Sequence, residues 1–78
     1  MDPRPAIREF VARITAGFPF MDSDDLFAMS VLDSLGAMQL VTFVESTFEI
    51  TVQDEDLDLD NFCSVDRIAG FVTRKRGF

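Results

Sequence analysis

The sequence predicts an all-α fold: a small four-helix bundle made of three main helices and a short third helix. Three observations carry that prediction. Apolar residues recur at three- and four-residue spacing in three separate stretches, the period of an amphipathic helix. The β-branched run Ile50-Thr51-Val52 reads as the exit from a helix, not as a strand with a partner. Finally, 78 residues, 47% apolar and including nine Phe, supply one packed core and no more, because a chain of this size buries only about 60% of its unfolded surface. Residues 1–78 are therefore expected to form one domain.

Each element follows in order. Asp2-Pro3-Arg4-Pro5 starts the first helix, with one proline at the first helical position. Ile7, Phe10, Val11 and Ile14 then mark its buried face, and Gly17 ends it. From Phe18 to Leu32 runs a long connection whose Phe18, Phe20, Leu26, Phe27 and Leu32 are expected to pin it across the core. Asp33 is the N-cap of the second helix and places Ser34 in its first turn. Ala37, Leu40, Val41, Val44 and Phe48 form the buried stripe of that helix, widened by Leu35, Phe43 and Thr47. Gln53 to Asn61 is acidic and holds a short helical turn, with Leu57, Leu59 and Phe62 facing inward. Ser64 caps a last helix carrying Val65, Ile68, Ala69, Phe71 and Val72, which closes on a basic tail and Gly77.

Composition excludes several function classes. There is no His, which removes Ser-His and Cys-His nucleophilic catalysis and any histidine-ligated metal. One Cys allows no internal disulfide and no multi-thiolate zinc site, and points to a reducing, cytoplasmic setting. No apolar run reaches the roughly 18–20 residues that span a bilayer, and no signal-peptide pattern opens the chain, so no membrane partner is expected. The formal net charge is −7, and its distribution is sharper than its size. From Met21 to Asp66 there are twelve acidic residues and no Lys or Arg. Such a surface repels phosphate backbones, which argues against nucleic acid. It attracts basic docking patches, or else simply keeps a small domain soluble.

Three constellations invite chemistry. The alternating Asp54, Asp56, Asp58 and Asp60 resemble a calcium loop, but neither register puts Gly at position six and Glu at position twelve, so no metal site is expected. Cys63, between Phe62 and Ser64, reads as a small buried hydrophobe. The run Leu32-Asp33-Ser34-Leu35-Gly36 is the informative one. It sets a serine hydroxyl at a helix start, near free backbone N–H groups and the positive end of the helix dipole, where a phosphate attached to that oxygen is stabilised.

Residues 31–52, VLDSLGAMQLVTFVESTFEITV, closely resemble the centre of acyl and peptidyl carrier proteins. The resemblance rests on Asp33-Ser34-Leu35, then Leu40-Val41, Glu45, Phe48 and Ile50. It extends upstream to Asp25-Leu26-Phe27 and downstream to Asp56-Leu57, Asn61-Phe62 and Ser64-Val65 through Ile68. It implies a bundle of the acyl-carrier type and a 4′-phosphopantetheine arm on Ser34, supplied from coenzyme A by a phosphopantetheinyl transferase. The arm's thiol would hold an acyl or aminoacyl thioester for other enzymes, so the chain itself is expected to be no enzyme and to have no catalytic residue. Asp33 is then the cap and a transferase contact. Leu35, Met38, Gln39 and Thr42 form the partner-facing edge, and Asp54, Glu55 and Asp56 an acidic docking cluster.

Two departures sort the subfamilies. Many fatty-acid carriers have Gly before the motif and a second helix dense in Glu. Here Leu32 precedes it, Gly36 follows it, and Glu45 and Glu49 are the only acids of that helix. The run looks more like D-alanyl carrier proteins and the stand-alone carriers of natural-product pathways. The expected partners are accordingly an adenylating or acyl-loading enzyme and downstream condensing or tailoring enzymes, acting on a monomer. Polyketide or nonribosomal peptide assembly ranks first, cell-wall D-alanylation second and fatty-acid synthesis third. The rival from another class is a helical adaptor that binds a basic partner noncovalently. Within a helix Gly36 costs about 1 kcal/mol against Ala, and the sequence offers no reason for it.

Overall fold

A computed structural model describes residues 2–77; Met1 and Phe78, the two ends of the expected domain, lie outside the described residues. Among the described residues three α-helices make up the body: α1 (Arg4–Ile14), α2 (Ser34–Phe48) and α3 (Val65–Arg76). Between α2 and α3 the expected short third helix is instead two separate 3-10 turns, Asp54–Asp56 and Leu59–Asn61. The reason is local. Asp56 and Asp58 side chains accept backbone N–H groups of Gln53 and Asp60 at 3.1 and 3.0 Å, which favours short turns over a continued helix.

The core gathers one stripe from each helix: Ile7 and Val11 of α1; Leu40, Val44 and Phe48 of α2; Val65, Ile68, Ala69, Phe71 and Val72 of α3. Phe62 enters beside Phe71, with ring centroids 5.2 Å apart. Fully burying one such side chain is worth about 1.5–3 kcal/mol, so this cluster is what holds three short helices together. Leu26 and Leu32 of the long connection are buried as well, and Phe20 and Phe27 are partly so. Leu26 N donates to Cys63 O at 2.7 Å, and Asp66 N to Asp22 O at 3.0 Å. Arg8 grips the Asp22 carboxylate with two hydrogen bonds of 2.9 and 3.1 Å. The connection is thus tied to both outer helices.

Several sequence expectations need correction. The first helix carries its proline at the second position, since Arg4 opens it and Pro3 stands at the cap. Its left-handed terminator is Ala16 (φ 56°), followed by Gly17 (φ 80°), with Gly17 N donating to Ala12 O at 2.8 Å. Those two residues reverse the chain, and Phe18 emerges 46% exposed instead of pinning the core. In α2 the buried line runs Gly36, Leu40, Val44, Phe48. Leu35 and Thr47, each one residue before a member of that line, turn about 100° away and are exposed. Phe43, on the same flank, stays partly covered because it stacks on Phe10 at 4.3 Å. Leu57 and Leu59, expected inward, are exposed as well.

Candidate functional site

The start of α2 is fixed by Asp33. Its backbone is extended (φ −124°, ψ −171°), and its Oδ1 accepts the Gly36 N–H at 3.0 Å. Asp33 O meanwhile takes the first intrahelical bond, from Ala37 N at 2.9 Å. Ser34 is therefore the first residue of the helix, with an exposed side chain. The opening N–H groups of a helix have no intrahelical acceptor and carry its positive partial charge. A hydroxyl held at that point in open solvent is accessible to a large external reagent.

Gly36, which the sequence left unexplained, has a structural reason. It is buried, and a Cβ there would stand 2.5 Å from Leu32 Cδ2. The Leu32 side chain occupies the space that a larger residue would need.

Grooves flank the exposed side of α2, and two of them take in Met38. The narrower, about 210 Å³, is lined by Ser34, Ala37, Val41, Leu57, Leu59 and Phe62 among others. The wider, about 570 Å³, lies toward α1 against Phe10, Ile14 and Phe43. Met38 lines both, and Gln39 and Thr42 line the wider one. Leu35 and Met38, 67% and 63% exposed, are large apolar side chains presented on the first turns of the helix. The structure thus brings Ser34, Leu35, Met38, Gln39 and Thr42 onto one accessible edge of α2.

The acidic cluster is not uniform. Asp54 and Glu55 are exposed. Asp56 is engaged: Lys75 Nζ lies 2.7 Å from its Oδ2, and the same oxygen accepts Gln53 N. The Lys75 bond holds the Asp56 carboxyl below its usual range, with the Gln53 N–H adding to the effect. Sequence reasoning missed Leu57 and Leu59 as groove walls, and the Lys75–Asp56 ion pair in the same segment. The only signal for them was two leucines interleaved with acids in a segment that has no helical period.

Asp33 spends its carboxylate on the helix cap. Cys63 is partly buried, and that burial, with Asp25 nearby, pushes its thiol pKa up, away from the reactive thiolate. Among the described residues no helix is long and apolar enough to cross a membrane.

The three-helix body offers the start of its middle helix to solvent. The chain matches the family described as "phosphopantetheine attachment site" over residues 6–72, and it belongs to that family, whose cofactor is covalently bound 4′-phosphopantetheine. It is 42% identical over 48 residues to proteins named D-alanyl carrier protein from Streptococcus pyogenes serotypes M5 (strain Manfredo), M49 (strain NZ131) and M1. That alignment covers 62% of this chain and spans 61% of each relative's length.

Proposed function

We propose that this chain is a discrete carrier protein that bears its phosphopantetheine arm on Ser34 and presents thioester-bound acyl or aminoacyl groups to partner enzymes. The observation that carries the reading is the Asp33-capped, solvent-exposed Ser34 at the first position of α2, inside a chain that belongs to the attachment family. In the attachment step the Ser34 Oγ forms a bond to a phosphorus of coenzyme A, the nucleotide part leaves, and the hydroxyl proton passes to the transferase. Free N–H groups at the helix start favour the resulting phosphodiester. Once bound, the arm supplies a thiol that holds cargo as a thioester. The chain's own residues then do two things: α2 fixes where the arm begins, and its exposed edge of Leu35, Met38, Gln39 and Thr42 meets the partner. Asp33 adds a carboxylate beside the transferase's target, and Asp54 and Glu55 steer basic partners. Asp56 contributes to this face mainly by shaping the loop.

The cargo is loaded by an adenylating enzyme. Helix α2 carries no acid between Ser34 and Glu45, so enzymes that read paired carboxylates there find few contacts, whereas a flatter apolar docking patch suits Leu35 and Met38. Natural-product assembly and D-alanylation share this mode of loading. The similarity to proteins named D-alanyl carrier protein favours the second of these specifically. The full set of partners comprises a phosphopantetheinyl transferase, the loading enzyme and downstream condensing or tailoring enzymes. They meet a cytosolic, monomeric carrier that performs no chemistry alone. The test is loading of the arm-bearing protein. D-Alanine with its adenylating enzyme, other amino-acid-adenylating enzymes and fatty-acid enzymes are compared by the rate of thioester formation. Fast loading by an adenylating enzyme supports the reading, and D-alanine as the preferred substrate selects the second pathway. Efficient loading by fatty-acid enzymes alone overturns the subfamily assignment.

A further inference from the structure

On its α1 side, helix α2 is bordered by two recesses that share Ile14 and Gln39. One, about 570 Å³, lies against Phe10 and Phe43 and reaches Ser46. The other, about 280 Å³, ends at Ser30, Asp33 and Leu35. The shared residues join them into one trough that follows α2 from Asp33 to Ser46. At about 1.5 Å per residue that stretch is roughly 20 Å long, the length of a helix of three to four turns. Its floor is apolar: Phe10, Ile14 and Phe43 pack on the core yet stay partly exposed, and Phe10 stacks on Phe43 at 4.3 Å. Charge sits at the two ends, with opposite signs. At one end is the exposed Asp33, whose Oδ1 caps Gly36. At the other, Arg13 lies over the Phe10 ring, 5.8 Å from its centroid, with the Glu9 carboxylate 3.9 Å away. Between these ends α2 offers the trough no charge, since its Glu45 turns to accept Val52 N at 2.9 Å.

We propose that this trough receives an amphipathic helix of a partner protein, lying antiparallel to α2, with an acid in its first turn beside Arg13 and a base in its last turn beside Asp33. Helix-in-groove docking reads apolar anchors at three- and four-residue spacing, and such a stripe would cover Phe10, Ile14 and Phe43. A helix favours acids at its start and bases at its end. The opposite charges at the ends of the trough therefore select both the kind of helix and its direction. The surface extends the exposed edge of α2 onto α1 and involves no arm, so it stands apart from the modification of Ser34.

The test uses the isotope-labelled chain without an arm and two stapled helical peptides of about 14 residues that share one leucine stripe. One peptide carries Glu in its first turn and Lys in its last; the other exchanges them. The first should move the amide shifts of Ile14, Gln39, Phe43 and Ser46 and bind about tenfold more tightly than the second, the size expected of two exposed ion pairs. Arg13→Glu should erase that preference and bind best a peptide with Lys at both ends. Thr42→Arg, which sets a large charge in the trough at an exposed position, should abolish binding of either peptide. Both substituted residues are exposed, and circular dichroism checks that the variants stay folded. Equal affinity for the two peptides, no binding of either at millimolar concentration, or binding that survives Thr42→Arg overturns the proposal. So do shifts centred on Leu57 and Phe62 instead. Shifts of the trough amides with protein concentration alone would mean that a second copy covers the trough, and would overturn it as well.

Discussion

Leu32 lies over Gly36 so closely that a methyl group added to Gly36 would stand 2.5 Å from Leu32 Cδ2 and 3.7 Å from the capping oxygen of Asp33. Leu32 is only 7% exposed and belongs to the core, so it cannot swing aside freely. The two residues bracket the Asp33-Ser34 pair and fit each other: a large side chain before the motif, none after it. Together they hold the helix start at which Ser34 is presented.

A coupled pair of substitutions follows. Gly36→Ala gains about 1 kcal/mol of helix propensity but overpacks a buried contact, which typically costs about 1–3 kcal/mol. We expect a net loss of stability in urea denaturation. Leu32→Ala should cost about 2–5 kcal/mol alone, and the double variant should lose clearly less than the two single losses added. Additive losses would mean that Leu32 and Gly36 do not compete for one space.

Asp33 has two separable roles, cap and charge. Asp33→Ala should lower stability by about 0.5–2 kcal/mol through loss of the hydrogen bond to Gly36 N. Asp33→Asn keeps an acceptor oxygen and should melt close to the wild type. If the charge also serves the transferase, Asp33→Asn should slow arm attachment with stability retained. Equal attachment rates for Asn and wild type would confine Asp33 to capping.

The acidic face makes a kinetic prediction. Asp54→Lys combined with Glu55→Lys should slow association with a basic partner, and wild-type association should slow as salt rises from low to physiological ionic strength. Asp56 is left unchanged in this variant because Lys75 already engages it. Stopped-flow association rates indifferent to salt would reduce the acids to a solubilising role.

Acid should unlatch the loop. The Lys75 bond lowers the Asp56 carboxyl from its ordinary value of 3.8. Around and below that pH the folded state therefore binds fewer protons than the unfolded one, and stability rises with pH there. The contribution is complete above 3.8 and disappears as pH falls through the lowered folded value. The stability gap between wild type and Asp56→Asn should thus be widest near neutrality and close toward acid. A gap independent of pH would contradict the pairing.

Much of this was legible in the sequence because it depended on near neighbours. The Asp33 cap and the Ser64 cap follow from residue type and position, and each accepts its expected N–H, from Gly36 and Arg67. The buried α3 face follows from a clean helical period. What escaped depended on residues distant in the chain. Nothing local says that Lys75 will cross to Asp56, nineteen positions away. Nor can Gly36 be understood until Leu32 is folded back upon it. Hydrophobicity alone placed Leu57, Leu59 and Phe18 inside, yet all three are exposed, Phe18 directly after the left-handed Ala16 and Gly17.

The central claim is that Ser34 carries the arm, and intact mass tests it directly. Wild-type protein incubated with coenzyme A and a broad-specificity phosphopantetheinyl transferase should gain the mass of one phosphopantetheinyl group. Ser34→Ala, folded by circular dichroism, should gain nothing. A gain that survives Ser34→Ala, or no gain by the wild type with several competent transferases, would contradict the account.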